Sequence, residues 1–176
     1  MRIVAGSLGG QTFESPKSFK THPMSEKIRG AIFNMLGDIS GLSVLDAFAG
    51  SGALAIEAIS RGASTAVTLD NDSAAVATIR RNLRQLKLEN KVSVTQAPVQ
   101  SWIQLANQRF DLVFADPPYN DPQLTSVQAL HKIVAADGLL IVSLPPTTAA
   151  PAVPGMDIVK SKAYGDATIT IYQPAS

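Results

Sequence analysis

The architecture of this chain is indicated by the stretch LDAFAGSGALA, which runs from Leu45 to Ala55. An apolar run containing one acid, Asp46, leads into Gly50-Ser51-Gly52, and a second apolar run with helical spacing follows. Glycines permit a tight turn and let the backbone approach a ligand closely. With Ala55 in the last place the pattern is G-x-G-x-x-A, which is typical of the turn between a buried strand and a helix. The stretch therefore predicts an α/β sheet with a ligand at this turn.

A second acid narrows the choice of ligand. Asp70 lies 20 residues after Gly50, at the end of the strand-like segment STAVTLDND. A carboxylate at this point of an α/β unit can accept both ribose hydroxyls of a nucleoside. Asp46 would repel the pyrophosphate of NAD, which prefers backbone amides, whereas it suits the ammonium group of S-adenosylmethionine. The two acids favour S-adenosylmethionine, with NAD as the alternative.

Strand-like and helix-like segments alternate after this turn, which is typical of a parallel sheet with helices on both faces. The last two segments instead predict an antiparallel hairpin turning at Gly165-Asp166. The fold expected is α/β, with a doubly wound, mostly parallel seven-stranded sheet and a C-terminal antiparallel hairpin. The predicted strands are SVLDAF, STAVTLDND, KVSVTQ, RFDLVFADPPY, LLIVSLPP, DIVKSKAYG and DATITIYQP, and the helices between them are ALAIEAISRG, SAAVATIRRNLRQLKLEN, PVQSWIQLANQ and QLTSVQALHKIVAADG.

Residues 1–40 precede the alternation and read as a small N-terminal extension. RIVAG, SLGG and QTFESP predict a β-hairpin with glycine turns, and THPMSEKIRGAIFNMLG predicts a helix with Ser25 as its N-cap and Gly37 at its end. The length of 176 residues is that of one domain. We therefore expect a single domain over 1–176, with the extension over 1–40 and a catalytic core over 41–176.

Composition excludes several classes of protein. Hydrophobic residues make up 45% and charged residues 16%, as in globular domains. There is no cysteine and there are only two histidines, so no metal site is expected. The N-terminus lacks the apolar core of a signal peptide, and no apolar run approaches the ~20 residues needed to span a bilayer. A cytoplasmic protein without membrane contact is expected.

The segment VFADPPYNDP, residues 113–122, ends the fourth predicted strand in an acid, two prolines and an aromatic ring. Prolines donate no hydrogen bond and stiffen the turn, so the carbonyls of Asp116 and Pro117 can lack partners in the sheet. Converging acceptors suit a substrate with N–H donors, such as an exocyclic amine, on whose ring Tyr119 can stack. Holding that amine in line with a methyl donor would supply much of the catalysis, and Asp116 can take the proton.

Taken together, the segments resemble a known group of enzymes. VLDAFAGSGALAIEAISRGA, TLDND and DPPY look like motifs I, II and IV of the Rossmann-like, S-adenosylmethionine-dependent amino-methyltransferases. RIVAGSLGGQTFESP followed by THPMSEKIRGAIFNML resembles the start of the RsmD-like family, the 16S ribosomal RNA guanine-N2 methyltransferases. The resemblance implies methylation of a guanine N2 amine in 16S rRNA or the small ribosomal subunit by a monomeric enzyme.

The resemblance also implies three groups of site residues. The catalytic motif would be Asp116, Pro117, Pro118 and Tyr119. S-adenosylmethionine would be held by Asp46, Phe48, Gly50, Ser51, Gly52, Asp70, Asn71 and Ala97. The RNA would be contacted by Arg2, Lys17, Lys20, His22 and Arg29.

Three other readings stay open at this stage: an NAD-dependent oxidoreductase, a non-catalytic RNA-binding protein of the same fold, and an amino-methyltransferase acting on DNA or protein. Among the remaining polar and aromatic residues, Trp102 is expected to face the core from its helix. His131 and Asn82 are expected on solvated helix surfaces.

Overall fold

A computed structural model describes residues 1–17 and 23–176. The predicted RNA contacts Lys20 and His22 lie outside the described residues. In chain order the elements are α1 (Glu26–Leu36), β1 (Ser43–Asp46), α2 (Ala53–Ser60), β2 (Thr65–Asp70), α3 (Ser73–Leu86), β3 (Val92–Gln96), α4 (Val99–Leu105), β4 (Phe110–Ala115), α5 (Leu124–Ala129), a 3-10 turn (Leu130–Ile133), β5 (Val134–Leu144), β6 (Met156–Tyr164) and β7 (Ala167–Pro174).

The strands form one seven-stranded sheet in the order β3-β2-β1-β4-β5-β7-β6. Strands β1 to β5 run parallel to one another, whereas β7 runs antiparallel to both β5 and β6. The predicted fold class is confirmed, including the C-terminal hairpin with its turn at Gly165-Asp166. The chain reverses its direction of winding between β1 and β4, and in open α/β sheets ligands bind in the crevice at such a point.

Alternate residues of the central strands supply two apolar layers, one on each face of the sheet. Val44 and Phe114 belong to the layer that α1, α2 and α3 cover. Leu45 and Val113 belong to the opposite layer, which α4 and α5 cover. Trp102 packs against this second layer from α4, as predicted. No helix in the described ranges is long and apolar enough to cross a membrane.

Three helix predictions were too long at their C-terminal ends, the first being α4, which ends at Leu105 rather than Gln108. Helix α3 stops at Leu86 rather than Asn90, because Lys87 adopts the left-handed conformation (φ 58°) that closes a helix. The segment from Val134 to Asp137 was predicted as helix but forms the start of β5, where Val134 pairs with Phe110. Short apolar runs fit a helix and a strand equally well, and here pairing with β4 selects the strand.

The N-terminal extension has less β-structure than predicted. One bridge, between Arg2 and Thr12, is the β-pairing found in its described part. The extension is instead fixed to α2: the amide of Ser7 donates to Ser60 O at 2.7 Å. Gly6 lies so close to this point that a Cβ atom would sit 1.9 Å from Ser60 O, and its φ is +86°. Helix α1 begins and ends as predicted, with the Ser25 side chain accepting from the Ile28 amide and Gly37 at its C-terminus.

Candidate active site

A cavity of about 800 Å³ opens at the carboxyl ends of β1, β2 and β4. The loop after β1 and the turn after β4 both line it, because these strands are parallel neighbours and therefore end at the same edge of the sheet. The wall therefore brings together the glycine loop, the acid after β2 and the Asp-Pro-Pro-Tyr turn, three features separated in sequence. The lining includes most of the predicted cofactor residues and all four predicted catalytic residues: Phe48, Gly50, Ser51, Asp70, Asn71, Ala97, Asp116, Pro117, Pro118 and Tyr119.

The glycine loop is shaped by two positive φ angles. Gly50 has a φ of 59° and Gly52 a φ of 82°, values that side-chain-bearing residues seldom adopt. Gly52 is the N-cap of α2, so the loop delivers the start of a helix to the cavity. Gly52 itself is buried beneath the loop rather than in the cavity wall.

Asp70 holds the loop in place from the end of β2. Its Oδ2 accepts a hydrogen bond from the Gly50 amide at 2.8 Å, and its Oδ1 accepts from the Asp72 amide at 2.9 Å. The side chain is half-buried and lines the cavity, so it keeps acceptor capacity for a ligand. Asn71 and Ala97 line the wall beside it, and the Ala97 amide donates to Asp70 O at 3.1 Å.

Asp46, predicted to hold the cofactor, does not line the cavity, because it is buried under the same loop at 1% exposure. Its Oδ2 accepts from the Ala55 amide at 3.3 Å, whereas Oδ1 has no hydrogen-bond partner among the described residues. Burial raises the pKa of Asp46 to about 8, and the nearby carboxyls of Asp116 and Asp70 add to the rise. A buried carboxylate oxygen without a partner is costly, and the proton that the raised pKa retains lowers that cost.

The Asp116-Pro117-Pro118-Tyr119 turn faces the glycine loop across the cavity. Burial raises the pKa of Asp116 to about 7, opposed by a hydrogen bond from the Ser143 hydroxyl. The Tyr119 hydroxyl lies 2.9 Å from the same Ser143 oxygen. Within this turn the carbonyl oxygen of Pro118 accepts a hydrogen bond from the Asp121 amide. No loop hydrogen bond from the described residues reaches the carbonyl of Asp116 or Pro117.

The family model described as "Conserved hypothetical protein 95" matches residues 1–173, nearly the whole chain. The chain belongs to this family. Ribosomal RNA small subunit methyltransferase D of Escherichia coli K12 is 30% identical over 98% of this chain and 89% of its own length. The Bacillus subtilis protein YlbH, provisionally named an rRNA methyltransferase, is 31% identical over 98% of both chains. The resemblance to the RsmD-like family is thereby confirmed.

Solved structures of similar proteins share the fold. The Escherichia coli protein yhhF, provisionally described as a methyltransferase, superposes with a TM-score of 0.88 at 28% identity and covers 99% of this chain and 98% of its own. The Thermus thermophilus protein TTHA0928 superposes with a TM-score of 0.84, also at 28% identity, over 98% of this chain and 99% of its own. The family and its fold neighbours thus extend over both the N-terminal extension and the core.

The cations predicted to contact RNA divide into two kinds. Lys17 is exposed at the cavity rim and Arg2 is exposed on the extension. The prediction was wrong for Arg29, which is 0% exposed and pairs with the buried Glu57 at 3.4 Å. Its spacing on α1 places it on the face that packs against α2, so its charge serves the fold rather than a surface.

Two polar residues at the site were missed. Ser143 lies 2% exposed on β5, in the middle of an apolar run, and no local pattern marks it as a partner of Tyr119. Asn82 was predicted at a helix surface, but it is 0% exposed and bonds to Ser51 O in the glycine loop. Its position among the apolar residues of α3 is the signal that could have placed it inward. Among the described residues no group of three or more His, Cys, Asp or Glu side chains could hold a metal ion.

Proposed function

We propose that this protein transfers a methyl group from S-adenosylmethionine to the exocyclic N2 amine of a guanine in 16S ribosomal RNA. The observation that carries the proposal is the single cavity shared by the glycine loop, Asp70 and the Asp116–Tyr119 turn. Transfer between two bound molecules needs one cleft in which donor and acceptor meet in line. Membership of a family that includes curated small-subunit rRNA methyltransferases supports the substrate.

The residues present fit an adenosyl sulfonium ligand. Asp70 has acceptor capacity for the ribose at the cavity wall, whereas Asp46 lies behind the glycine loop with an unpaired Oδ1 and would act on the methionine end from beneath that loop. Phe48, Asn71 and Ala97 provide the wall for the adenine. When bound, S-adenosylmethionine supplies a methyl group already activated by its positive sulfur. The Asp70 carboxylate lines the cavity, and the carboxyls of Asp46 and Asp116 add negative potential at pH values above their raised pKa, which favours a positively charged ligand over a pyrophosphate.

The Asp-Pro-Pro-Tyr turn provides for the target amine. An aromatic amine is a weak nucleophile because its lone pair is delocalised into the ring. The Asp116 carboxylate and the unused carbonyls of the turn can accept its two hydrogens and so direct the lone pair towards the donor. As the new N–C bond would form, the methyl–sulfur bond would break and leave a neutral thioether, and Asp116 would accept the proton that the methylated amine releases, which suits a group whose pKa is raised to about 7. Tyr119 is held by Ser143 in a position from which its ring can stack on the guanine.

The guanine must leave its stack to reach these groups. Unstacking costs a few kcal/mol, and less where the base already lies in a loop. Single-stranded loops are the usual targets of sequence-specific RNA recognition. Lys17, at the rim, and Arg2 can bind phosphates beside such a base. The proposed partner is thus a loop of 16S rRNA presented by the small ribosomal subunit.

The test is transfer of radiolabelled methyl from S-adenosylmethionine to 30S subunits and to free 16S rRNA purified from cells lacking the gene. Mass-spectrometric mapping should find one N2-methylguanosine that returns when the wild-type enzyme is added. Subunits from wild-type cells, already methylated, serve as the control. Labelling of protein or DNA instead of rRNA would redirect the proposal to another amine. Binding of rRNA without transfer, or binding of NAD in preference to S-adenosylmethionine, would overturn it.

A further inference from the structure

Asn82 is a fully buried polar side chain on α3, in contact with two separate segments of the chain. Its Oδ1 accepts a hydrogen bond from the Glu14 amide at 2.8 Å. Its Nδ2 donates to Glu14 O at 3.0 Å and to Ser51 O at 2.9 Å. Both N–H donors and the acceptor are therefore used, and the side chain is 0% exposed.

The two segments that Asn82 joins are both walls of the cavity. Ser51 belongs to the glycine loop and lines the cavity. Glu14 belongs to the N-terminal extension, whose residues Met1, Pro16 and Lys17 also line it. A second contact links the same segments, since the Ser51 hydroxyl donates to Met1 Sδ at 3.3 Å.

The chemistry of the amide explains why asparagine fits this position. A serine or an apolar residue cannot satisfy a backbone amide and two carbonyls at once, whereas a primary amide presents one acceptor and two donors. A loop built on two positive-φ glycines is conformationally soft, because glycine restricts its backbone least. A bond to the carbonyl of the residue between those glycines is therefore well placed to select one loop conformation.

We propose that Asn82 is a positioning residue for the cofactor, which aligns the Ser51 carbonyl and with it the glycine loop by fixing both to the N-terminal extension. This inference rests on the proposed function, since the ligand concerned is S-adenosylmethionine. Asn82 does not line the cavity, so its effect on the ligand passes through Ser51.

The chain contains a matched control on the same helix. Gln85 donates from Nε2 to Thr12 O at 2.8 Å, which ties α3 to the extension without touching the glycine loop. Both variants thus loosen the link between α3 and the extension: Asn82→Ala removes two side-chain hydrogen bonds to Glu14, and Gln85→Ala removes one to Thr12. Only the first also frees the Ser51 carbonyl.

The experiment is calorimetric titration of S-adenosylmethionine into wild-type protein and both variants, below the unfolding temperature of each. We expect Asn82→Ala to raise the Kd about tenfold or more and Gln85→Ala to leave it within about twofold. A ratio between the two variants smaller than about threefold overturns the inference. A wild-type protein that does not bind S-adenosylmethionine at all instead overturns the proposed function.

Hydrogen exchange on the wild-type protein tests the same link if Asn82→Ala fails to fold. Saturating S-adenosylmethionine should slow exchange of the Glu14 amide, which donates to Asn82, together with the amides of the glycine loop. Protection confined to residues that line the cavity, with the Glu14 amide unchanged, contradicts a positioning role. Steady-state kinetics provide a further readout: Asn82→Ala should raise KM for S-adenosylmethionine with a smaller change in KM for RNA.

Discussion

At the residue scale, Asp46 and Asp116 illustrate how burial can tune two carboxyl groups for different tasks. Asp46 is the last residue of β1 and Asp116 comes just after β4, and these two strands are neighbours in the sheet. Burial raises the pKa of each, to about 8 and about 7. The nearby Ser143 hydroxyl lowers the pKa of Asp116 against the effect of burial, whereas one oxygen of Asp46 lacks any partner in the described chain. The first arrangement suits a proton acceptor and the second suits a cation-binding group.

Replacing Asp116 by Ala should reduce kcat about 10²–10⁴-fold with little change in the Kd for S-adenosylmethionine, because in the proposed reaction the carboxylate acts on the target amine and not on the cofactor. In the wild-type enzyme, the ionised form that accepts hydrogen bonds from the amine is populated above its pKa. We therefore expect kcat/KM for RNA to rise with pH and to level off above about 7. Asp116→Asn should lose both the rate and this pH dependence. Loss of cofactor binding in either variant would contradict the assignment.

Asp46 should lower the stability of the ligand-free protein. Its folded pKa lies above its unfolded pKa, so the folded state binds the extra proton and the free energy of unfolding falls as pH rises from about 4 to about 8. Asp46→Asn should remove this fall. At pH 8 it should stabilise the protein by about 1 kcal/mol or more, which is about 2–4 °C in Tm.

Thermal scans at pH 5 and pH 8 measure this effect. The gain from Asp46→Asn should appear at pH 8 and be small at pH 5, where the wild-type side chain is neutral. The same variant should bind S-adenosylmethionine more weakly, because the amide lacks the charge that suits the ligand's ammonium group. An equal gain at both pH values would show that the charge of Asp46 is not the cause.

At the element scale, one buried carboxylate on α2 joins that helix to two parts of the N-terminal extension, namely its first residues and its helix α1. Glu57 is 0% exposed and accepts from the amides of Val4 at 2.9 Å and Ala5 at 3.1 Å. It also pairs with Arg29 at 3.4 Å and with Arg61 at 2.9 Å. The extension is therefore packed against the core through a buried charge cluster, and α1 takes part through Arg29.

Glu57→Ala should destabilise the protein by about 3–5 kcal/mol, because it leaves the buried Arg29 without its partner. The control is Glu14→Ala, which breaks an ion pair with Arg81 whose two side chains are 45% and 42% exposed. That change should cost about 0–1 kcal/mol, since solvent screens the pair. Urea unfolding followed by circular dichroism measures both. Similar losses for the two variants would be inconsistent with the role assigned to Glu57.

At the scale of the whole molecule, the sheet order separates the candidate RNA surface from the C-terminal hairpin. The cavity lies at β1, β2 and β4, whereas β6 forms the far edge of the sheet. The net charge of the chain is only +1, so its overall charge attracts RNA weakly. We therefore expect the cations near the cavity to account for most of the RNA binding. Lys17 is at the rim, and Lys160 is exposed on β6.

Lys17→Ala should weaken RNA binding, and the slope of log K against log salt should become shallower by about 1, the value for one lost phosphate contact. Lys160→Ala removes the same charge from the far edge and should change neither quantity appreciably. Filter binding of an rRNA fragment over a range of salt concentrations makes the comparison. Equal effects of the two variants would indicate that only net charge matters.

Much of the fold could be read locally. Short segments of sequence determine the alternation between strand-like and helix-like hydrophobic periodicity, and they determine the turns at Gly50 and Gly165. The helices, the strands and the C-terminal hairpin were therefore predictable. Asp46, Asp70 and Asp116 were recognisable because each ends a strand, and parallel strands bring such ends to one edge. The observed strand order is that of a doubly wound sheet ending in an antiparallel hairpin, which is the predicted fold class.

Burial and long-range partners were decided by the tertiary structure. Arg29 and Asn82 have polar side chains on helices, which usually indicates exposure to solvent, yet each is buried beside a partner distant in sequence that offsets at least part of its desolvation. The strand at Val134 and the contact between Ser143 and Tyr119 likewise depend on pairing between β4 and β5. A short segment of sequence determines its own hydrophobic periodicity and its turns. The partner that stabilises a buried charge or amide comes from a segment distant in sequence, so only the tertiary structure decides it.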